Sequence, residues 1–148
     1  MGCVSDDQAR FACKNYDAEG NVVSEFDERG FVTSYTYDAL DRVETVSREV
    51  KTGVTETTVY KYDTHDNVTE VVDASGAVTR YEYDDFGQMV RLWGPDGRTI
   101  KNQYNAAGQL EVSVEGGVDV DQYRAGYTYD NIGRLIETHF ERLERRPV

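Results

Sequence analysis

The chain has 148 residues with 28 acidic and 16 basic side chains, a formal charge of −12 that repels polyanions and excludes a nucleic-acid backbone as partner. Hydrophobic residues make up 39%, enough for a modest core in one domain, and no apolar run approaches the roughly 20 residues of a membrane helix, which excludes insertion of that kind. The aromatic choice is skewed, with 11 tyrosines against 5 phenylalanines and the single Trp93, and tyrosine suits half-buried sheet faces.

Residues 1–14 show no period and read as a leader or a cut end. The start MGCVSD resembles an acylation signal but carries Asp6 where Ser or Thr is wanted, which favours an initiator remnant. Cys3 and Cys13 are the only cysteines and precede the regular part of the chain, so they cannot staple it. The counts allow either a disulfide between them or two free thiols.

From Tyr16 one sentence recurs six times: YDAEGNV at Tyr16, YDALDRV at Tyr37, YDTHDNV at Tyr62, YDDFGQM at Tyr83, YNAAGQL at Tyr104 and YDNIGRL at Tyr129. The spacings are 21, 25, 21, 21 and 25 residues, and a fixed period of this size marks a stacked repeat array, here spanning 15–138. In each copy the tyrosine ends a strand, and the next residue (Asp17, Asp38, Asp63, Asp84, Asn105, Asp130) can accept hydrogen bonds from amides just ahead of it. Two corner residues follow, then a position of positive φ held by Gly20, Gly87, Gly108 or Gly133, as in a type I turn closed by a left-handed residue. Asp41 and Asp66 hold that position in two copies; Asp tolerates the left-handed region, so these read as weakened turns.

A second turn lies inside each 21-residue unit: DERG ending at Gly30, DASG at Gly76 and GPDG at Gly97. Turns therefore come every 10 or 11 residues, leaving about six per strand, and an antiparallel meander of about a dozen strands follows. The pairs Tyr35 and Tyr37, Tyr60 and Tyr62, Tyr81 and Tyr83, and Tyr127 and Tyr129 put tyrosines on one face, while Thr36, Lys61, Glu82 and Thr128 take the other. The aromatic stripe reads as a core face, with a carbohydrate platform as the sharper alternative. The two longer intervals carry four extra residues, with Thr52-Gly53 as the tip of the first and either Gly116-Gly117 or Asp119 to Asp121 as the tip of the second. Residues 139–148 read as a charged tail.

The pattern YDxxGxL with an interleaved DxxG turn resembles the YD repeats of bacterial Rhs proteins, Tc toxin C subunits and teneurins, over Tyr16 to Leu135. The resemblance implies an all-β fold of hairpin repeats in one long curved open sheet, a piece of a spiralling shell that in the toxins encloses an effector. The unpaired edges of an open meander call for neighbouring repeats of a longer parent chain or self-association as partners, and the resemblance implies an enclosed toxin domain and secretion or delivery by a bacterial secretion system. The family's autoproteolytic DPxGL is absent; GPDGR at Gly94 to Arg98 is an ordinary turn.

No catalytic site, cofactor or metal is expected. His65 falls at a turn corner and His139 in the tail, and the repeated turn aspartates have a structural job instead of forming a unique carboxylate pair. Asp119 and Asp121 form a DxD that could attract calcium, but the closing glutamate of a calcium loop is missing. The expectation is a non-enzymatic structural segment; the alternative is a surface module in which Trp93 or the tyrosines hold a glycan or protein.

Overall fold

The computed structural model describes residues 2–5, 11–117 and 120–143, and every described element is a strand. The chain divides into two compact units, Met1–Ala77 and Val78–Val148. The first holds β1 (Gly2–Ser5), β2 (Phe11–Tyr16), β3 (Val22–Phe26), β4 (Val32–Tyr37), β5 (Val43–Lys51), β6 (Val54–Tyr62) and β7 (Val68–Val72). The second holds β8 (Val78–Tyr83), β9 (Met89–Trp93), β10 (Arg98–Tyr104), β11 (Leu110–Gly117), β12 (Val120–Tyr129) and β13 (Leu135–Leu143).

Within each unit, strands pair antiparallel with their neighbours in the sequence, so strand order is chain order and the strands form an open meander. Each YD tyrosine is the last residue of its strand, and Val22, Val43, Val68, Met89, Leu110 and Leu135 open the next. The register slips by one residue beside each YD tyrosine, as between Glu82 and Tyr83, because the left-handed turn residue inserts one extra position. The first long hairpin closes at Thr52-Gly53, with Lys51 opposite Val54 and Gly53 at φ 75. In the second, Gly117 pairs with Val120, and the two residues between lie outside the described ones.

β1 and β2 form a hairpin in the stretch where the sequence shows no period. Cys3 stands directly opposite Cys13 in the register, and Cys13 is disulfide-bonded and not a free thiol. At the other end β13 continues through His139 to Leu143, opposite β12.

The expected core face requires correction. Among the described residues only Gly116 and Ala125 are buried. The tyrosine face is half-buried, with Tyr35 opposite Val46, Tyr60 opposite Val71 and Tyr81 opposite Leu92, while Thr36, Lys61, Glu82 and Thr128 on the other face are exposed. Period-two alternation tells which side chains share a face; it does not tell whether a second layer covers that face. Here stability comes from ladders and cross-strand pairs, each worth about 0.2–1 kcal/mol.

Candidate functional site: the turn edge of the repeats

The YD turns join β2 to β3, β4 to β5 and β6 to β7 in the first unit, and β8 to β9, β10 to β11 and β12 to β13 in the second, so within each unit they gather at one end of the strands. Each is built by one side chain. Asp84 Oδ1 accepts the backbone N–H groups of Phe86 and Gln88, both at 2.9 Å, while Gly87 N–H donates to Asp84 O at 3.0 Å. Asp17, Asp38, Asp63, Asn105 and Asp130 each accept the corresponding two amides, two and four residues ahead. Asp27 and Asp73 do the same in the second set of turns. In GPDG, Gly94 stands at this position and Asp96 caps the Arg98 amide alone.

Consecutive copies are tied by two contacts. First, a YD tyrosine hydroxyl donates to the carbonyl of the residue that opens the strand after the previous YD turn. Tyr37 reaches Val22 O at 2.8 Å, Tyr62 reaches Val43 O at 2.7 Å, Tyr104 reaches Met89 O at 2.9 Å and Tyr129 reaches Leu110 O at 2.8 Å. This is why the repeat uses tyrosine and not phenylalanine: the ring packs on the sheet and the hydroxyl locks the next hairpin to the last. Tyr16 begins the series and is half exposed, and Tyr83 ends β8.

Second, the residue after the left-handed position reaches the left-handed residue of the following copy. Gln88 Nε2 donates to Gly108 O at 2.7 Å and Gln109 Nε2 to Gly133 O at 2.9 Å. Asn21 Nδ2 donates to Asp41 Oδ1 at 3.1 Å, and Arg42 Nη1 to Asp66 Oδ1 at 2.8 Å. Asp41 and Asp66 do adopt positive φ, 58 and 65, and their carboxylates receive the neighbour's donor. The strain of a non-glycine residue there is offset by a contact that glycine offers only through its carbonyl.

Arg42 is the most connected residue of this edge. Its guanidinium lies 4.6 Å from the Tyr62 ring centre, pairs with Asp38 at 2.7 Å, and donates to Asp63 O and Asp66 Oδ1, both at 2.8 Å. The bond from Arg42 holds the Asp38 carboxyl below its usual range. The Asn67 side chain does the same for Asp63, the Ser75 hydroxyl for Asp73 and the Arg134 amide for Asp130. On the tyrosine face, Tyr35 donates to Glu25 at 2.7 Å, which pushes the phenol up to about 12.

These depressed carboxyls set an acid limit. Their pKa in the folded chain is below the unfolded value of about 3.9, so the stability they contribute is present above that value and is lost as pH falls through the folded pKa. The thermal midpoint should hold from pH 7 to about pH 5 and drop below about pH 4. Melts across this range check it, and Asp73→Asn, which keeps the Oδ1 acceptor, should flatten the acid limb.

His65 is exposed at its corner and donates its amide to Asp63, and His139 is exposed opposite Gly126. Trp93 is half-buried in β9 between Arg80 and Thr99, with the Arg91 guanidinium 5.3 Å from its ring centre. The Asp119 and Asp121 pair falls outside the side chains the structure describes. The second corner of alternate YD turns presents an apolar residue to solvent: Leu40 (66% exposed), Phe86 (88%) and Ile132 (69%). The sequence shows these residues, but only the open face of the turns reveals their exposure.

An open sheet of turn-capped hairpins, bonded copy to copy, defines a repeat protein of the β-meander class. The RHS repeat family model matches residues 16–53 and 62–99, half of the chain, and the chain belongs to that family. No curated protein sequence matches it. Among solved structures, the fold is similar to that in the crystal structure of TcdB2-TccC3-Cdc42, with a TM-score of 0.76 and 15% identity over 86% of this chain and 7% of that one. TcdB2-TccC3 without its hypervariable C-terminal region is similar at TM-score 0.75 and 16% identity, over 86% of this chain and 7% of that one. The Photorhabdus luminescens Tc holotoxin pore is similar at 0.64 and 13%, over 93% and 9%. The chain spans less than a tenth of the length of these chains.

Proposed function

We propose that the chain is a non-enzymatic wall segment of an Rhs-type shell, one that encloses an effector or serves as an extracellular scaffold. The observation that carries this reading is the ladder from copy to copy. Each repeat completes the hydrogen bonding of its neighbour, and the turn aspartates are consumed as backbone acceptors instead of being left for chemistry. Likeness of fold to structures that include a Tc holotoxin pore supports a toxin-type shell and delivery outside the producing cell.

A wall segment needs neighbours, and two features call for them. Among the described residues β13 pairs only with β12, and it exposes Leu135 (54%), Ile136 (62%) and Phe140 (73%), the kind of edge that invites another strand. Arg134, which stands where Arg42 and Gln109 reach forward, is bonded back to its own Asp130 at 2.7 Å. The purified chain is therefore expected to self-associate in analytical ultracentrifugation as its concentration rises. A monodisperse monomer that melts cooperatively would show a self-sufficient domain and overturn the wall reading. A mass shift on incubation, lost on substitution of one aspartate, would overturn the non-enzymatic part.

A further inference from the structure

An open hollow of about 1000 Å³ lies at the turn edge of the second unit, lined by Asp84, Gln88, Tyr104, Asn105, Gly108 and Glu111 among others. Four of these residues occupy the repeat positions that surround the Arg42 guanidinium in the first unit, and a fifth occupies that of Arg42. Asp84 corresponds to Asp38, Tyr104 to Tyr62, Asn105 to Asp63, Gly108 to Asp66, and Gln88 to Arg42 itself. Around Arg42 the ring of Tyr62, the carboxylate of Asp38 and the carbonyl of Asp63 form a finished guanidinium site, with contacts of 2.7–2.8 Å and a ring distance of 4.6 Å. In the second unit the shorter Gln88 turns to Gly108 O and brings no charge. Asp84 spends Oδ1 on the two turn amides, and no described residue donates to its Oδ2.

We infer that this hollow is a binding site for an arginine side chain presented by another polypeptide, with the incoming guanidinium taking the place that Arg42 fills from within the chain in the first unit. The cation would lie on the Tyr104 ring, donate to Asp84 Oδ2 and Asn105 O, and meet Glu111 on the wall. A planar fork of donors with a face that stacks on an aromatic ring fits these acceptors, whereas an ammonium offers a point charge. The hollow exceeds the volume of one side chain, leaving room for the segment that carries it, and the charge of −12 favours a basic partner. The assignment does not rest on the shell reading, since it follows from comparing two copies within one chain.

The test is a titration of the whole chain, at a concentration below that of self-association, with N-acetylargininamide, followed by NMR. Saturable shifts are expected at the amides of residues 84–88 and 104–109. N-acetylcitrullinamide, isosteric and uncharged, should bind about tenfold more weakly. Gln88→Arg places the guanidinium in cis and should suppress binding, and Asp84→Asn, which keeps the turn acceptor, should weaken it. Absence of saturation, equal binding of the citrulline or lysine amide, or unchanged binding by Gln88→Arg would each overturn the assignment.

Discussion

Replacing Tyr62 with phenylalanine is expected to lower the unfolding free energy by about 1 kcal/mol, the usual contribution of one hydrogen bond. Replacement with alanine should cost about 2–3 kcal/mol, less than a fully buried aromatic because the ring is only half covered. The hydroxyl bond to Val43 O is lost in both variants, and the alanine variant also loses the ring under Arg42 and the packing on the sheet. Tyr16→Phe is the control. Tyr16 carries none of the inter-copy bonds found among the described residues, and it is half exposed, so its change should stay within about 0.5 kcal/mol. Urea midpoints for the three variants decide the matter; equal effects of Tyr16→Phe and Tyr62→Phe would show that the inter-copy bonds contribute nothing.

Arg42→Ala should lower the thermal midpoint by roughly 5 °C, because it leaves Asp38, Asp63 O and Asp66 without their shared donor and uncovers the Tyr62 ring. Asp66→Gly alone should change it less. Glycine relaxes the positive φ of 65 while removing only one of the acceptors of Arg42. The informative variant is the pair Arg42→Gln with Asp66→Gly, which recreates the combination of Gln88 and Gly108. It should recover most of the loss. Differential scanning calorimetry checks this, and a double variant no more stable than Arg42→Ala would mean that the two combinations are not interchangeable couplings.

What could be read from the sequence follows from how local each feature is. The turns were legible because an acceptor, two corners and a residue of positive φ all lie within five positions, and the alternate spacing of 10 and 11 fixed the strands between them. The ties between copies were not. Tyr62 and Val43 are 19 residues apart and Arg42 and Asp66 are 24 apart, and nothing local says that a hydroxyl will meet a carbonyl at that separation. For the same reason Asp41 and Asp66 read as weakened turns, since the partner that compensates each one sits on another copy. The hairpin of β1 and β2 was hidden by the lack of a repeat at that end, although the register of Cys3 with Cys13 is its anchor. Trp93 stood out by being unique, yet Arg91 already covers its ring.

The meander order also bears on how the chain reaches its structure. Among the described pairings the most distant register partners, Gln122 and Leu143, are 21 residues apart, so these pairings include none of the long-range closures that slow most β-proteins. Loop-closure entropy is small at every step, and low contact order favours rapid folding. A nascent chain can add one hairpin at a time as it emerges, each templated by the one before, without waiting for distant residues to be synthesised.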